Sequence, residues 1–305
     1  MNRRHLIAGG TALFVLGART ARAEDLTPLE VAYAGSMGSM MEGPIKDGAA
    51  QKLQIAMHGI AQGSDALANL IAGGSLAPDV FVPVTAHPMR TVLSAGKATI
   101  ATPVARTEMV IAYSPKSKYT KPFADAAAGV AGAMPWWQIL EQSDITFGRT
   151  DPTVDPQGRN IIFTLQLAQT YYNQPGLATR ILGPTINPAQ IFSEPTVEAR
   201  LQSGELDAAS AYKIQPGPFN VPYVTLPKEI NLGDAAMHDQ YVKTSLVLNG
   251  KTYTPEALVY YAAVLNASAH LDSATAFVNW LASGAQPIFG EYVYDPPEGA
   301  SPLHA

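Results

Sequence analysis

Two seven-residue runs, YAGSMGS (33–39) and HGIAQGS (58–64), each bring an apolar stretch to a Gly-Ser pair. A glycine lets the backbone approach a ligand closely, and a serine that follows a strand or opens a helix offers a hydroxyl beside unpaired backbone N–H groups. The chemistry this permits is hydrogen bonding to an anion, with Ser36 and Ser64 as donors. Singly, each pair also reads as an ordinary turn and helix cap.

Covalent and metal chemistry find no comparable support. The six histidines (His5, His58, His87, His238, His270, His304) are scattered, with no pair at helical ligand spacing. Ser36 sits in A-G-S-M-G, which lacks the glycine that a nucleophile elbow places two residues before its serine. There is no Walker loop and no dinucleotide fingerprint. Cysteine is absent, which removes disulfides, thiolate nucleophiles, thiolate metal sites and a lipidated N-terminal cysteine. The expectation is a binding protein with no catalytic residues, no metal site and no cofactor.

The elements that must position the two serines alternate in type. LEVAYAG (29–35), DVFVPVTA (79–86), EMVIAYS (108–114), DITFGRT (144–150) and LDAASAY (206–212) read as buried strands. Between them lie segments of helical period. SDALANLIAGG (64–74) sets Leu67, Leu70 and Ile71 on one face and stops at Gly73-Gly74, and RNIIFTLQLAQTYYNQPG (159–176) carries Ile161, Leu165, Ala168 and Tyr172. TVEARLQSGELD (196–207) breaks at Gly204, and SATAFVNWLASG (273–284) offers Ala276, Phe277 and Trp280 to a core. Such alternation predicts an α/β fold with mainly parallel sheets, whose ligands sit beyond the carboxyl ends of the strands.

The 305 residues, 47% hydrophobic and 15% charged, suffice for one large or two ordinary domains. The N-terminal MNRRHLIAGGTALFVLGARTARAED has a basic start, a short apolar stretch and a small-x-small site at Ala21-Arg22-Ala23. It predicts an export signal cleaved after about Ala23, and NRRHLI is similar to a twin-arginine signal. Residues 1–23 carry four arginines and no acid, so the balance of 20 basic to 25 acidic residues becomes 16 to 25 once they are removed. That balance argues against nucleic acid or an anionic membrane as partner. A free periplasmic or secreted monomer is expected.

The order of the pieces is specific. AGSMGSM, QGSDALANLIAGGSLAPDVFV, ARTEMVIAYSPKSKY, GRTDPTVDPQGRNIIFTLQLAQTYY, LQSGELDAASAYK and VTLPKEINLGD follow one another along the chain. Together they closely resemble the periplasmic tungstate and molybdate binding proteins of ABC importers. The likeness includes an Asp-Pro-x-Gly motif at 155–158, a helix ending in the tyrosine pair 171–172, and Leu-Pro-x-Glu-Ile-Asn-Leu at 226–232.

This resemblance implies a type II periplasmic binding protein fold: two α/β lobes, joined by two crossing strands, with a ligand cleft between them. Lobe I would hold 24–107 and 241–305, and lobe II 108–240. It implies capture of a tungstate or molybdate oxyanion for an ABC transporter permease. The site would comprise Ser36 and Ser64 on lobe I, and Asp155, Gly158 and Tyr212 on lobe II. Thr107, Asp151 and Arg159 are further candidates. Some members of that family set two carboxylates against the metal centre, the second immediately before the tyrosine. Here that position is Ala211, so a four-oxygen tetrahedral ligand held by hydrogen bonds is expected. Sulfate or phosphate, and an exported enzyme on a similar scaffold, are the alternatives.

Overall fold

The computed structural model describes residues 26–217 and 221–305; the predicted export signal lies outside them. Strands β1 (Thr27–Ala34), β2 (Ile55–Gln62), β3 (Val80–Val82) and β4 (Ile100–Arg106) belong to one sheet. β5 (Met109–Tyr113), β6 (Phe147–Gly148), β7 (Ala208–Tyr212) and β8 (Tyr223–Thr225) form a second. β9 (Leu246–Leu248) and β10 (Lys251–Tyr253) make a hairpin, and β11 (Val259–Val264) and β12 (Leu303–His304) return to the first sheet. The sheet orders are β12-β4-β11-β3-β1-β2 and β6-β7-β5-β8.

The sheets are mixed, which corrects the expectation of mainly parallel ones. β1 pairs in parallel with β2 and β3, and β6 with β7. β11 is antiparallel to β3 and β4, and β5 to β7 and β8. The cause is topological: β4 leaves the first sheet at Arg106 and the chain enters the second at Met109, so the returning β11 must run against its neighbours. At this crossing Thr107 N–H donates to Leu258 C=O, and Leu258 N–H to Leu232 C=O, which ties the outgoing and returning segments together.

The relevant helices are α1 (Lys46–Leu53), α2 (Ser64–Ala72), α3 (Ala86–Ser94), α4 (Pro156–Tyr171), α5 (Glu194–Ser203) and α6 (Leu271–Ala282). α1, α2, α3 and α6 cover the two faces of the first sheet, as strand periodicity requires, and α4 and α5 pack on the second. Leu29, Val31 and Tyr33 of β1 join the main core with α6, while Ala32 joins Leu67, Ala68 and Ile71 of α2 on the other face. The buried stripe of α2 is thus Ser64-Leu67-Ala68-Ile71 and leaves Leu70 exposed; in α6, Ala274 rather than Ala276 faces inward. Both helices end near the predicted breakers. α5 stops at Gly204, whose φ of 89° suits glycine at a helix C-terminus.

Candidate functional site

β1 and β2 pair with Ala34 opposite Gln62, so the two Gly-Ser turns leave the sheet at the same edge. Ser36 lies in the short turn Gly35–Met37, with its Oγ 3.0 Å from the hydroxyl of the buried Tyr260 on β11. Ser64 is the buried first residue of α2, and its Oγ accepts the Val84 N–H at 3.1 Å. That bond uses a lone pair and leaves the Ser64 hydroxyl proton available to a ligand.

The second sheet presents its own edge by the same logic. β6 and β7 are parallel, so the loop after Gly148 and the end of β7 emerge together. Asp155 caps α4: its backbone is extended, its Oδ1 accepts the Gln157 N–H at 2.8 Å, and Pro156 occupies the first turn. The Tyr212 hydroxyl accepts from Asn160 Nδ2 at 3.0 Å, which again leaves its own proton unspent. Gln215 Oε1 accepts from Gln157 Nε2 at 2.6 Å and from Tyr212 N–H at 2.7 Å, while its Nε2 donates to Glu194 Oε1.

Between these edges lies a cavity of about 60 Å³. Gly35-Ser36 and Gly63-Ser64 line it from the first sheet, and Asp155, Gln157, Glu194 and Tyr212 from the second. That is room for a compact ion. Among the described residues no lysine, arginine or histidine lines it. Glu194 and Gly63 also border outer spaces of about 350 and 510 Å³.

The electrostatics favour neutral groups. Burial pushes the Tyr212 and Tyr260 phenols up, so both remain protonated donors. Burial also raises the Asp155 carboxyl, against the pull of the Gln157 N–H. Glu194 is pushed up to about 8, first by burial and then by the charges of Asp155 and Glu198. The chamber therefore carries hydroxyl donors beside two acids whose ionised forms are disfavoured.

The remaining sequence candidates lie outside this chamber. Gly158 is in the first turns of α4, where a Cβ would sit 2.4 Å from Thr150 O and 2.7 Å from Pro152 N; it permits the helix to pack on its own leading loop. Asp151 Oδ1 accepts from Thr153 N–H at 2.8 Å and Thr153 Oγ1 at 2.7 Å, and borders only the outer space. Arg159 pairs with Asp65 of α2, donates to Pro152 O at 3.1 Å and lies 4.7 Å over the Tyr253 ring, beside a separate cavity of about 110 Å³. Thr107 is fully buried at the crossing, its hydroxyl without a partner.

Glu194, Gln157 and Gln215 were not legible as site residues. A signal for Glu194 existed: Ser193-Glu194-Pro195 is a cap followed by proline in the first turn, which begins α5 two residues before Thr196. Ala211 alternates with Tyr212 along β7 and packs instead with Val197 and Leu201 of α5. The chamber thus holds a second carboxylate from α5, not from the strand. Among the described residues no group of three or more His, Cys, Asp or Glu is placed to hold a metal ion.

Comparison with known proteins agrees with this architecture. The chain is 32% identical over 200 residues to the molybdate/tungstate-binding protein WtpA of Pyrococcus abyssi, a match covering 59% of this chain and 56% of that protein. The similarity thus spans little more than half the length of that curated relative. The sulfate-binding protein SubI of Mycobacterium tuberculosis H37Rv superposes with a TM-score of 0.59 at 14% identity, covering 90% of this chain and 88% of SubI. The periplasmic molybdate-binding protein of Azotobacter vinelandii gives 0.56 at 16% identity, covering 87% and 98%. Both have the two-lobed type II periplasmic binding fold seen here. With residues 29–294 matching the model of the bacterial extracellular solute-binding proteins, the chain belongs to that family.

Proposed function

We propose that this protein is the substrate-binding component of an ABC importer, capturing a tetrahedral oxyanion, tungstate or molybdate, in the periplasm and delivering it to a membrane permease as a monomer. The observation that carries the reading is the chamber itself: about 60 Å³, with Ser36, Ser64 and Tyr212 hydroxyls converging from two sheets and no lining cation. Fixed dipoles select an anion by size and oxygen geometry, where lysines would attract any anion. The names of WtpA and of the Azotobacter protein support the choice of oxyanion.

In this reading lobe I comprises 24–107 and 241–305, and lobe II 108–240. The passage from β4 to β5 between Arg106 and Met109 supports the first boundary. The lobes hinge about the crossing and close on the anion, which leaves unchanged. A second reading has one observation in its favour: Asp155 and Glu194 could accept a hydrogen bond from an oxyanion that carries its own proton, as hydrogen phosphate does. Titration calorimetry with molybdate, tungstate, sulfate and phosphate separates the two. Micromolar or tighter binding of molybdate and tungstate, with sulfate and phosphate weaker, is the expected result. Preference for phosphate would replace it with the second reading.

A further inference from the structure

Glu194 occupies a position that the molybdate and tungstate reading does not use. It belongs to α5 of the second sheet, yet its Oε2 faces the first: a Cβ placed on Gly35 would lie 3.5 Å from it. Its Oε1 is engaged by the Gln215 amide, so Oε2 is the oxygen free to carry a proton or meet a ligand. The residue also stands at the boundary between the inner chamber and both outer spaces.

Charge counting then decides its state. Two ionised carboxylates and a dianion would place four negative charges around a space of about 60 Å³ that, among the described residues, no cation lines. At such separations the repulsion in a partly desolvated site exceeds the cost of binding a proton near neutral pH. The groups facing Glu194 are Asp155 at the α4 cap, Glu198 one turn on in α5, Gln215, and the phenols of Tyr212, Tyr260 and Tyr294; none is a cation. Asp155 is better placed to stay ionised, since it takes a backbone N–H at a helix N-terminus and has Arg159 nearby.

We propose that Glu194 is a specificity-determining residue that carries a proton on Oε2 and donates it as a hydrogen bond to the bound anion, so that one proton accompanies each dianion in the loaded site. The proposal rests on the oxyanion reading. A carboxylic acid in this place favours an oxygen that is a bare acceptor and disfavours one that already bears hydrogen. It thereby selects fully deprotonated oxyanions over hydrogen phosphate.

The test is calorimetry of the whole protein with molybdate and tungstate from pH 6.5 to 9.5, in pairs of buffers with different ionisation enthalpies. Affinity is expected to be flat at the acid end and to fall about tenfold per pH unit above the Glu194 transition, with close to one proton taken up per anion there. Glu194→Gln keeps an N–H donor and removes the titration, so its profile should be flat with no proton uptake, whereas Asp155→Asn should retain the slope. An affinity unchanged across the range in the wild type, without proton uptake, would overturn the proposal even if the Gln variant fails to fold. So would a profile flattened by Asp155→Asn and not by Glu194→Gln. Both of those results leave oxyanion binding intact; absence of binding to molybdate and tungstate at every pH would instead remove the functional reading.

Discussion

The serine hydroxyls and the Glu194 carboxyl show how one side chain's spent bond determines what it has left to give. Ser64 accepts from Val84 and Tyr212 accepts from Asn160, so each has a proton left to donate. Replacing Ser36 or Ser64 by alanine is expected to weaken molybdate binding by about 1.5–3 kcal/mol, the worth of a hydrogen bond to a charged partner, and to lower the thermal midpoint of the ligand-free protein, because the buried Tyr260 hydroxyl or Val84 N–H loses its partner. Calorimetry and differential scanning measurements check the two halves of that statement. Glu194 gives a second prediction, on folding. Its folded-state pKa of about 8 lies above the ordinary value of 4.5, so its folded form holds a proton that the unfolded chain has lost between those limits. Stability is therefore fully present below about pH 4.5 and declines as pH rises through 8. Glu194→Gln should melt higher than the wild type at pH 8.5, with the gain shrinking toward pH 5; an equal difference at both pH values would contradict the assignment.

At the scale of elements, α4 and its leading loop act as one unit. Asp155 reaches the chamber because the loop 150–155 folds back against the helix start, and Gly158 is where they touch. Gly158→Ala should raise intrinsic helix propensity yet destabilise the protein by about 1–3 kcal/mol, because the added methyl meets backbone atoms that cannot rotate away. The same displacement shifts Asp155 and Gln157, so oxyanion affinity should fall with it. Urea denaturation and calorimetry on the purified variant measure both, and a stabilised variant with unchanged affinity would show that the loop has room to move.

For the whole molecule, contacts that join the two lobes are expected to set how often the chamber is assembled. Arg159 of α4 pairs with Asp65 of α2 beside a cavity separate from the chamber, and the Arg side chain is stacked on Tyr253 of the β9–β10 hairpin. Glu194 reaches toward Gly35 on the other side. Loss of the ion pair leaves the chamber lining intact while removing a tie between lobes. Asp65→Asn is expected to enlarge the ligand-free protein in small-angle scattering and to weaken molybdate binding by roughly 1 kcal/mol, about fivefold, since apparent affinity scales with the closed fraction. Scattering curves that coincide with and without the substitution would show that the pair does not govern closure.

Much of this was legible along the chain because it depends on local rules. Strand periodicity placed β1, β3, β5 and β7; glycines placed the C-terminal ends of α2 and α5; and the two Gly-Ser pairs marked residues that line one cavity. Hydrogen bonding and burial act within a few residues at such positions, so the sequence alone determined them. What required the tertiary structure was every relation between distant segments. The return of β11 made the sheets mixed, the strand pleat turned Ala211 away from the chamber, and α5 carried Glu194 into it from a stretch whose only local signal was a helix start. Arg159, which could as well have faced an anion, is taken by Asp65, 94 positions earlier in the chain. Charge in a buried chamber depends on which groups meet there, and that meeting is set by packing between lobes, which no local pattern encodes.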